Sequence, residues 1–166
     1  MTPVPFLLGL GANLGDPAAQ LAHAVALLRE RAGVSAVSSV WRTEPVGFRE
    51  QPDFYNLVAA GAWEGTADAL LDAALGVERE LGRVRSFANA PRVIDVDVLD
   101  VGGVVVADER LTLPHPRMAE RAFVLAPLAE LAPEWRHPTT GRTARELLSA
   151  VPGGERVERW GPLPPR

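Results

Sequence analysis

Residues 93–99, with the sequence VIDVDVL, form the clearest strand pattern in the chain and decide its fold. Side chains two residues apart in a strand face the same side, so Asp95 and Asp97 project together while the apolar residues face the other way. Two adjacent anions raise each other's pKa unless a cation lies between them, and magnesium takes one or two carboxylates in this manner. This motif alone leaves open the alternative of two surface acids on a solvent-facing strand.

The segments on both sides predict further strands, helices and loops. Asp16 with Pro17 is typical of a helix start, Thr66 can cap a second helix, and Thr143 with Glu146 forms a capping box. The apolar patterns and turn residues predict strands at 6–11, 34–42, 56–63 and 93–99, helices at 17–33, 66–82, 117–131 and 143–151, a hairpin strand at 104–106, and loops at 43–52 and 109–117.

The order of these elements is strand–helix–strand–strand–helix–strand, followed by a hairpin and C-terminal helices. It predicts an α/β (α+β) protein with a ferredoxin-like β-α-β-β-α-β core. A chain of 166 residues fits a single domain, which we expect to cover residues 1–160. Residues 161–166 are expected to form a frayed tail.

The composition excludes several classes of chemistry. The chain has 17 basic residues, all of them arginine, 21 acidic residues and no cysteine, and its formal net charge is −4. Thiolate catalysis, Schiff-base catalysis and a P-loop lysine are therefore excluded, and the charge argues against nucleic-acid binding. No apolar run approaches the roughly 18 residues of a membrane span and no signal peptide is recognised, so we expect a soluble cytoplasmic protein.

Basic side chains surround the acid pair in the sequence. They are Arg83, Arg85, Arg92, Arg110, His115 and Arg121. Guanidinium groups bind phosphate oxygens in bidentate fashion and stay charged, as a polyphosphate site requires. Surface salt bridges and a structural histidine are the alternative interpretation.

Two further motifs bear on the ligand. The glycines of residues 9–15 follow a strand, but their spacing and the lack of an acid near residue 36 exclude a Rossmann nucleotide site. Phe54, Asn56 and Phe123 are the remaining candidates, and the two phenylalanines are core residues by default. Alternatively, the two rings stack on a flat heterocycle whose edge the amide contacts.

Four ordered blocks carry a family resemblance over nearly the whole chain to about Trp135. They are residues 9–16 (GLGANLGD), 42–47 with 51–56 (RTEPVG and QPDFYN), 82–97 (GRVR, then PRVIDVD) and 113–118 (LPHPRM). The chain thereby resembles the 6-hydroxymethyl-7,8-dihydropterin pyrophosphokinase family. The Pro-Arg-x-x-Asp-x-Asp motif at this distance from Gly-Arg-x-Arg, with Pro-His downstream, is highly specific.

The resemblance implies an ATP-dependent enzyme of folate biosynthesis. Such an enzyme transfers pyrophosphate from ATP to the hydroxymethyl group of 6-hydroxymethyl-7,8-dihydropterin and releases AMP, on a ferredoxin-like fold. The resemblance assigns two Mg²⁺ ions to Asp95 and Asp97, with Arg83 and Arg92 as further catalytic residues. It assigns ATP to Glu78, Arg83, Arg85, Arg92, Arg110, Thr112, His115 and Arg121, and the pterin to Thr43, Pro45, Val46, Gly47, Phe54, Asn56 and Phe123. It also implies a monomer whose partners are these small molecules, without nucleic acid or membrane.

The sequence departs from the family pattern at Asn89, where some members have a tryptophan that closes over the substrates. Phe87 is the candidate substitute, and we expect the loops at 43–51 and 84–89 to fold over the site and exclude water. The candidate general base is Asp97 or a metal-bound water.

Two other functions are alternatives. A kinase that transfers a single phosphate to a heterocyclic alcohol would release ADP instead of AMP. A non-catalytic ferredoxin-like nucleotide sensor would keep its nucleotide binding after Asp97→Ala.

Overall fold

The computed structural model describes residues 2–45, 50–82, 93–153 and 156–165. One antiparallel sheet of six strands separates two layers of helices in this structure. Its elements are β1 (Val4–Ala12), α1 (Pro17–Ala32), β2 (Val34–Val37), β3 (Val40–Thr43), β4 (Phe54–Trp63), α2 (Ala67–Glu80), β5 (Asp95–Val101), β6 (Val106–Ala107), β7 (Thr112–Leu113), α3 (Ala122–Leu131), α4 (Ala144–Ala150) and β8 (Val157–Gly161).

The strands of the main sheet lie in the order β5-β1-β4-β3-β8, and β2 also pairs with β4. Every pair is antiparallel, and α1 and α2 connect the strands as the sequence predicts. The ferredoxin-like core is therefore confirmed. Within the described ranges, no helix has both the length and the apolar character that crossing a membrane requires.

Alternation along the strands supplies one hydrophobic core to each face of the sheet. Leu8 and Leu10 of β1 belong to the core that contacts α1 and α2. Leu7 of β1 and Val58 of β4 belong to the second core, together with α3 and α4 residues such as Leu125. The second face matters most for function, because the acid pair projects from it.

The predicted helix starts are confirmed by their capping bonds. Asp16 Oδ1 accepts the N–H of Ala19 at 3.2 Å. Thr143 and Glu146 form the reciprocal capping box at the start of α4. These contacts satisfy N–H groups that a first helical turn leaves without a partner.

The strand predicted at 34–42 is wrong as a single element, because the chain breaks it at Ser38 and Ser39. Ser38 Oγ accepts the N–H of Val58 at 3.0 Å. The Glu130 carboxylate accepts the N–H of Ser39 at 3.0 Å and its hydroxyl at 2.6 Å. Ser38 keeps one backbone bond to β4, from its N–H to the carbonyl of Val58 at 2.9 Å, and side-chain bonds hold the rest of the break. β2 and β3 therefore pair separately with β4.

Two other predicted boundaries are also wrong. Gly102 and Gly103 have φ values of 60° and 73°, which glycine adopts at no steric cost, and they turn the chain away from β5. The next strand is β6, which pairs with β7 rather than with β5. The helix predicted at 117–131 is interrupted by the extended backbone of Arg121, so that α3 begins at Ala122.

The C-terminal strand β8 has no counterpart among the predicted elements. Its backbone pairs with β3, from Val157 opposite Thr43 to Gly161 opposite Val40. Leu163 then packs against the core, where the sequence predicted a frayed tail from residue 161. The edge of the sheet is thereby extended beside the loop that follows β3.

Candidate active site

The acid pair lies at the start of β5, on the sheet face against which α3 and α4 pack. Asp95 is opposite Gly11 of β1, and Asp97 is opposite Gly9. The intervening Val96 is buried in the core on the other face. The predicted orientation of the two carboxylates is confirmed, and both residues are half-buried rather than open to solvent.

Glycine at position 11 leaves room for an amide on the neighbouring strand. Gly11 is also the cross-strand partner of Asn56 in β4. A Cβ atom at position 11 would lie 2.8 Å from Asn56 Oδ1, so a side chain there would displace the amide. The buried Asn56 donates from Nδ2 to Thr43 Oγ1 at 3.0 Å, which fixes the orientation of its amide. Asp95, Gly11 and Asn56 therefore form one row across three strands, and the glycine in the middle leaves space between the carboxylate and the amide.

The aromatic candidates border this row. Phe54 is half-buried, two residues before Asn56 on the same face of β4. Phe123 is half-buried in the first turn of α3 and packs against the core of that face. Pro45 is buried just after β3. The described pterin candidates thus lie on β3 or just after it, on β4 and at the start of α3.

The electrostatics of the acid pair are unfavourable without a cation. Burial, the charge of Asp95 and a hydrogen bond to it, and the charge of Glu78 raise the pKa of Asp97 to about 8, whereas Arg121 lowers it. The pair therefore retains a proton near neutral pH. A divalent cation would replace that proton and offset the repulsion between the carboxylates.

The donor set of this pair fits magnesium. It consists of hard carboxylate oxygens, which Mg²⁺ prefers, in a place where excess negative charge is costly. Across the part of the chain that the structure describes, no three acidic or histidine side chains converge into a metal-binding cluster. Two carboxylates are nevertheless enough, because magnesium keeps several positions for water and substrate phosphates.

His115 and Arg121 join the acid pair electrostatically. Burial and the charges of Arg121 and Arg117 lower the pKa of His115, and Asp95 opposes them, so the ring is neutral at pH 7. Its Nδ1 accepts the N–H of Arg117 at 3.3 Å, which places the ring proton on Nε2. The backbone N–H of His115 donates to the carbonyl of Leu99 at 2.9 Å and holds this loop against β5.

Arg121 connects the charged and aromatic parts of the site. Its guanidinium carbon lies 5.4 Å from the centre of the Phe123 ring, a cation–π contact. The same charge lowers the pKa of both Asp97 and His115. Arg121 thus lies between groups that the sequence assigned to ATP and a ring that it assigned to the pterin.

Two candidates for ATP have other contacts in the structure. The buried Glu78 accepts the N–H of Val96 on Oε2 at 2.7 Å, and it thereby fixes the outer edge of β5 between the two aspartates. Arg110 pairs with Asp68 and Asp72 of α2 instead of the acid pair. Thr112 is exposed on β7 near Arg110.

Several predicted positions lie outside the described residues. They are Val46, Gly47, Arg83, Arg85 and Arg92, together with Phe87 and Asn89 of the expected closing loop. Their assignments remain predictions.

The sequence did not single out the residues that hold the loop after β3. The buried Asn13 donates from Nδ2 to Gln51 Oε1 at 2.7 Å and to the carbonyl of Pro52 at 3.1 Å. Asp53 accepts from Arg156 Nη2 at 2.7 Å. Asn13 and Asp53 stand in the motifs that carry the family resemblance, whereas no sequence signal marked Arg156.

Comparisons with known proteins agree on one family. Residues 7–133 match the family model described as 7,8-dihydro-6-hydroxymethylpterin-pyrophosphokinase (HPPK). A 2-amino-4-hydroxy-6-hydroxymethyldihydropteridine pyrophosphokinase of Methylorubrum extorquens is 49% identical over 155 residues, which cover 91% of this chain and 97% of that protein. A protein of the same name from Pseudomonas aeruginosa is 41% identical over 152 residues, which cover 90% of this chain and 93% of that protein.

Solved structures show the same fold at low sequence identity. The wild-type HPPK-DHPS of Plasmodium falciparum matches 89% of this chain and 44% of its own, with a TM-score of 0.70 and 14% identity. A triple mutant of that protein, with SDX-DHP, matches 89% of this chain and 41% of its own, with a TM-score of 0.73 and 15% identity. The chain thus spans less than half of these longer proteins.

Proposed function

Because the chain belongs to the 7,8-dihydro-6-hydroxymethylpterin-pyrophosphokinase family and transfers pyrophosphate from ATP to hydroxymethyldihydropterin in folate biosynthesis, we propose that the sheet face around Asp95, Asp97 and Asn56 is its active site. The observation that supports this most is the charge coupling of the acid pair. Asp95 and Asp97 lie on one face of β5, opposite Gly11 and Gly9. The charges of Asp95 and Arg121 shift the pKa of both Asp97 and His115, although Arg121 and His115 come from later segments of the chain.

The reaction forms one bond and breaks another at the β-phosphorus of ATP. The hydroxymethyl oxygen of the pterin bonds to that phosphorus and loses its proton, which is released to solvent. The bond to the oxygen shared with the α-phosphate breaks, and AMP departs. Little covalent work falls to the protein, so positioning and charge neutralisation supply the catalysis.

We assign the charged groups to ATP. Asp95 and Asp97 would hold two Mg²⁺ ions, which when bound neutralise charge on the phosphates. Arg121 would bind phosphate oxygens as a cation, and neutral His115 would donate to them from Nε2. Arg83, Arg85, Arg92, Arg110, Thr112 and Glu78 are assigned to the nucleotide by the family resemblance.

We assign the row beside the acid pair to the pterin. The Asn56 amide, oriented by Thr43, would contact the edge of the ring, and Phe54 and Phe123 would stack against its faces. Pro45, Val46 and Gly47 follow from the family resemblance. We further propose a single domain, which extends beyond the expected residue 160 because Leu163 packs against the core, and which acts as a cytoplasmic monomer without nucleic acid or membrane. The net charge of −4 supports the absence of nucleic-acid binding.

A split in Michaelis constants tests the two assignments. The assay contains purified protein, ATP, magnesium and hydroxymethyldihydropterin, and chromatography resolves AMP from ADP. We expect Asn56→Ala to raise the KM for the pterin about ten-fold and to leave the KM for ATP unchanged. His115→Ala should instead raise the KM for ATP and leave the KM for the pterin unchanged. Equal changes in both constants for each variant would contradict the assignment.

A further inference from the structure

The loop that joins β3 to β4 is held at both ends by one residue of the C-terminal segment. Asp53, the last residue of this loop, accepts from Arg156 Nη2 at 2.7 Å. Glu44, its first residue, accepts the backbone N–H of Arg156 on Oε1 at 3.1 Å and donates its own N–H to the carbonyl of Arg156 at 3.4 Å. Arg156 therefore connects two positions that the loop itself separates by nine residues.

The two ends of this loop adjoin pterin candidates. Glu44 follows Thr43 and Asp53 precedes Phe54, and Thr43 and Phe54 are the last cross-strand pair between β3 and β4. Thr43 Oγ1 in turn accepts from Asn56 Nδ2 at 3.0 Å. A shift at either end of the loop would therefore be transmitted to the amide of Asn56 and the ring of Phe54.

Strand β8 gives this contact a fixed base. Val157 pairs with Thr43 directly after Arg156, and the register continues to Gly161. The ring of Trp160 lies edge-on to Tyr55 of β4, with 5.7 Å between centres. The Asp53 side chain is 23% exposed and the Arg156 side chain 53%, so the pair is accessible to salt but not fully solvated.

We propose that Arg156 is a positioning residue for the pterin: it holds the two ends of the β3–β4 loop together and thereby fixes Thr43, Phe54 and Asn56. It touches neither substrate and acts through these residues. The inference rests on the proposed assignment of the three residues to the pterin. Arg156 lies outside residues 7–133, the segment that matches the family model, so the inference concerns this chain rather than the shared motif.

The predicted signature is a change confined to one substrate. The described groups assigned to ATP and its metal ions lie on α2, on β5 and in the segments that follow β5, whereas Arg156 contacts the loop between β3 and β4. Arg156→Met keeps the aliphatic stem and removes the charge. We expect it to raise the KM for hydroxymethyldihydropterin about five-fold, the effect of losing one half-exposed ion pair, with the KM for ATP unchanged. Arg156→Lys should recover part of the difference, because a cation still faces Asp53.

Arg159 provides the matched control. It lies on the same strand, but its Nε donates to Ser39 Oγ at 2.9 Å and lies 3.6 Å from the Glu130 carboxylate, away from the loop. Arg159→Met should leave the KM for the pterin within about two-fold of the wild-type value. A second variant, Asp53→Asn, weakens the same contact from the loop side. It also weakens the bond that Asp53 Oδ2 accepts from Arg42 Nε at 3.0 Å, so it should raise the KM for the pterin at least as much as Arg156→Met does.

The outcomes distinguish the positioning role of Arg156 from the assignment of Thr43, Phe54 and Asn56 to the pterin. A pterin-specific rise in KM for Arg156→Met and Asp53→Asn, but not for Arg159→Met, supports the positioning role. An unchanged KM, equal rises for both substrates, or equal effects of the two arginine variants would overturn it. If Asn56→Ala raises the KM for the pterin while Arg156→Met does not, only the positioning role fails. If Asn56→Ala has no effect, the pterin assignment itself fails.

Discussion

The two ends of β5 carry carboxylates that are both shielded from water but have opposite surroundings. Asp97 lies beside Asp95, and burial and the neighbouring negative charge raise its pKa to about 8. Asp100 accepts from Trp135 Nε1 at 3.3 Å and from the N–H of Gly103 at 3.2 Å, bonds that oppose the rise in pKa caused by its burial. A carboxylate with neutral donors stabilises the fold, whereas one beside another carboxylate requires a cation.

A β-bulge makes this comparison direct. Leu8 pairs with Val98, but Leu7 pairs with Asp100, so Leu99 is an extra residue on β5. The bulge turns Asp100 to the same sheet face as Asp97. The difference between the two groups therefore comes from their neighbours and not from the side of the sheet on which they lie.

Replacing Asp97 by asparagine should have the largest effect on activity. We expect kcat/KM to fall about 1,000-fold, because the neutral side chain is a poor magnesium ligand and phosphate charge is then less well neutralised. Thermal unfolding without metal should occur at an unchanged or higher temperature, since the mutation removes a carboxylate that repels its neighbour. Magnesium should stabilise the wild-type protein against heat and fail to stabilise this variant. Retained activity with a lowered melting temperature would place Asp97 among the structural carboxylates.

Replacing Asp100 by alanine should have the opposite signature. The indole N–H of Trp135 and the N–H of Gly103 would lose their acceptor, and we expect the free energy of unfolding at pH 7 to fall by about 2 kcal/mol. The KM values for both substrates should stay within about two-fold of the wild-type values, because Asp100 is bonded to Trp135 and Gly103, which are assigned to neither substrate. Urea titration and the AMP assay measure the two effects. A large loss of activity without a loss of stability would end the distinction between the two ends of β5.

The glycines opposite the acid pair locate the boundary of the site more finely. A Cβ atom at Gly11 would lie 2.8 Å from Asn56 Oδ1, whereas one at Gly9 would meet only the Leu99 side chain, at an ordinary 3.4 Å. We therefore expect Gly11→Ala to displace the amide and raise the KM for the pterin about ten-fold.

The matched variant Gly9→Ala should leave the KM for the pterin near the wild-type value. Steady-state assays at saturating ATP compare the two substitutions. If both alanine substitutions raise this KM equally, the effect does not come from the contact between position 11 and the Asn56 amide.

Local patterns were enough to predict the element order and the direction of the acid pair. The alternation in residues 93–99 predicted that Asp95 and Asp97 share a face, and the capping residue Thr66 predicted the start of α2; both are confirmed. Such features depend on residues close in sequence, whose spacing is visible without the fold. The four sequence blocks that resemble the family predicted the function as well, because they carry the family's motifs.

Features that depend on distant partners were not predictable. Strand β8 is exposed and charged, with Glu158 and Arg159 at its centre, and only its pairing with β3 makes it a strand. The break at Ser39 depends on Glu130, 91 residues away. The bulge at Leu99 reverses the alternation for Asp100, so a strict period of two would have placed that residue on the wrong face.

The smallest expected effect is a pH dependence that separates Asp100 from the rest of the chain. Burial holds its pKa above the ordinary 3.8, so the folded chain keeps a proton that the unfolded chain has released. The contribution of Asp100 to the free energy of unfolding is therefore largest below pH 3.8 and is lost as the pH rises through its folded pKa. Burial lowers the pKa of His137 below 6.5, and the charge of Asp100 raises it. Removing Asp100 lowers the pKa of His137 further, and this change also makes the stability difference between the two proteins smaller as the pH rises.

The difference in unfolding free energy between the wild-type protein and Asp100→Ala should thus shrink as the pH rises from about 4 to 7. Asp97 contributes a slope of the same sign to both proteins, and that slope cancels in the difference. Urea titrations of the metal-free proteins at several pH values measure it. If the difference grows with pH instead, the bonds from Trp135 and Gly103 outweigh burial, and the two ends of β5 differ even more than their pKa directions indicate.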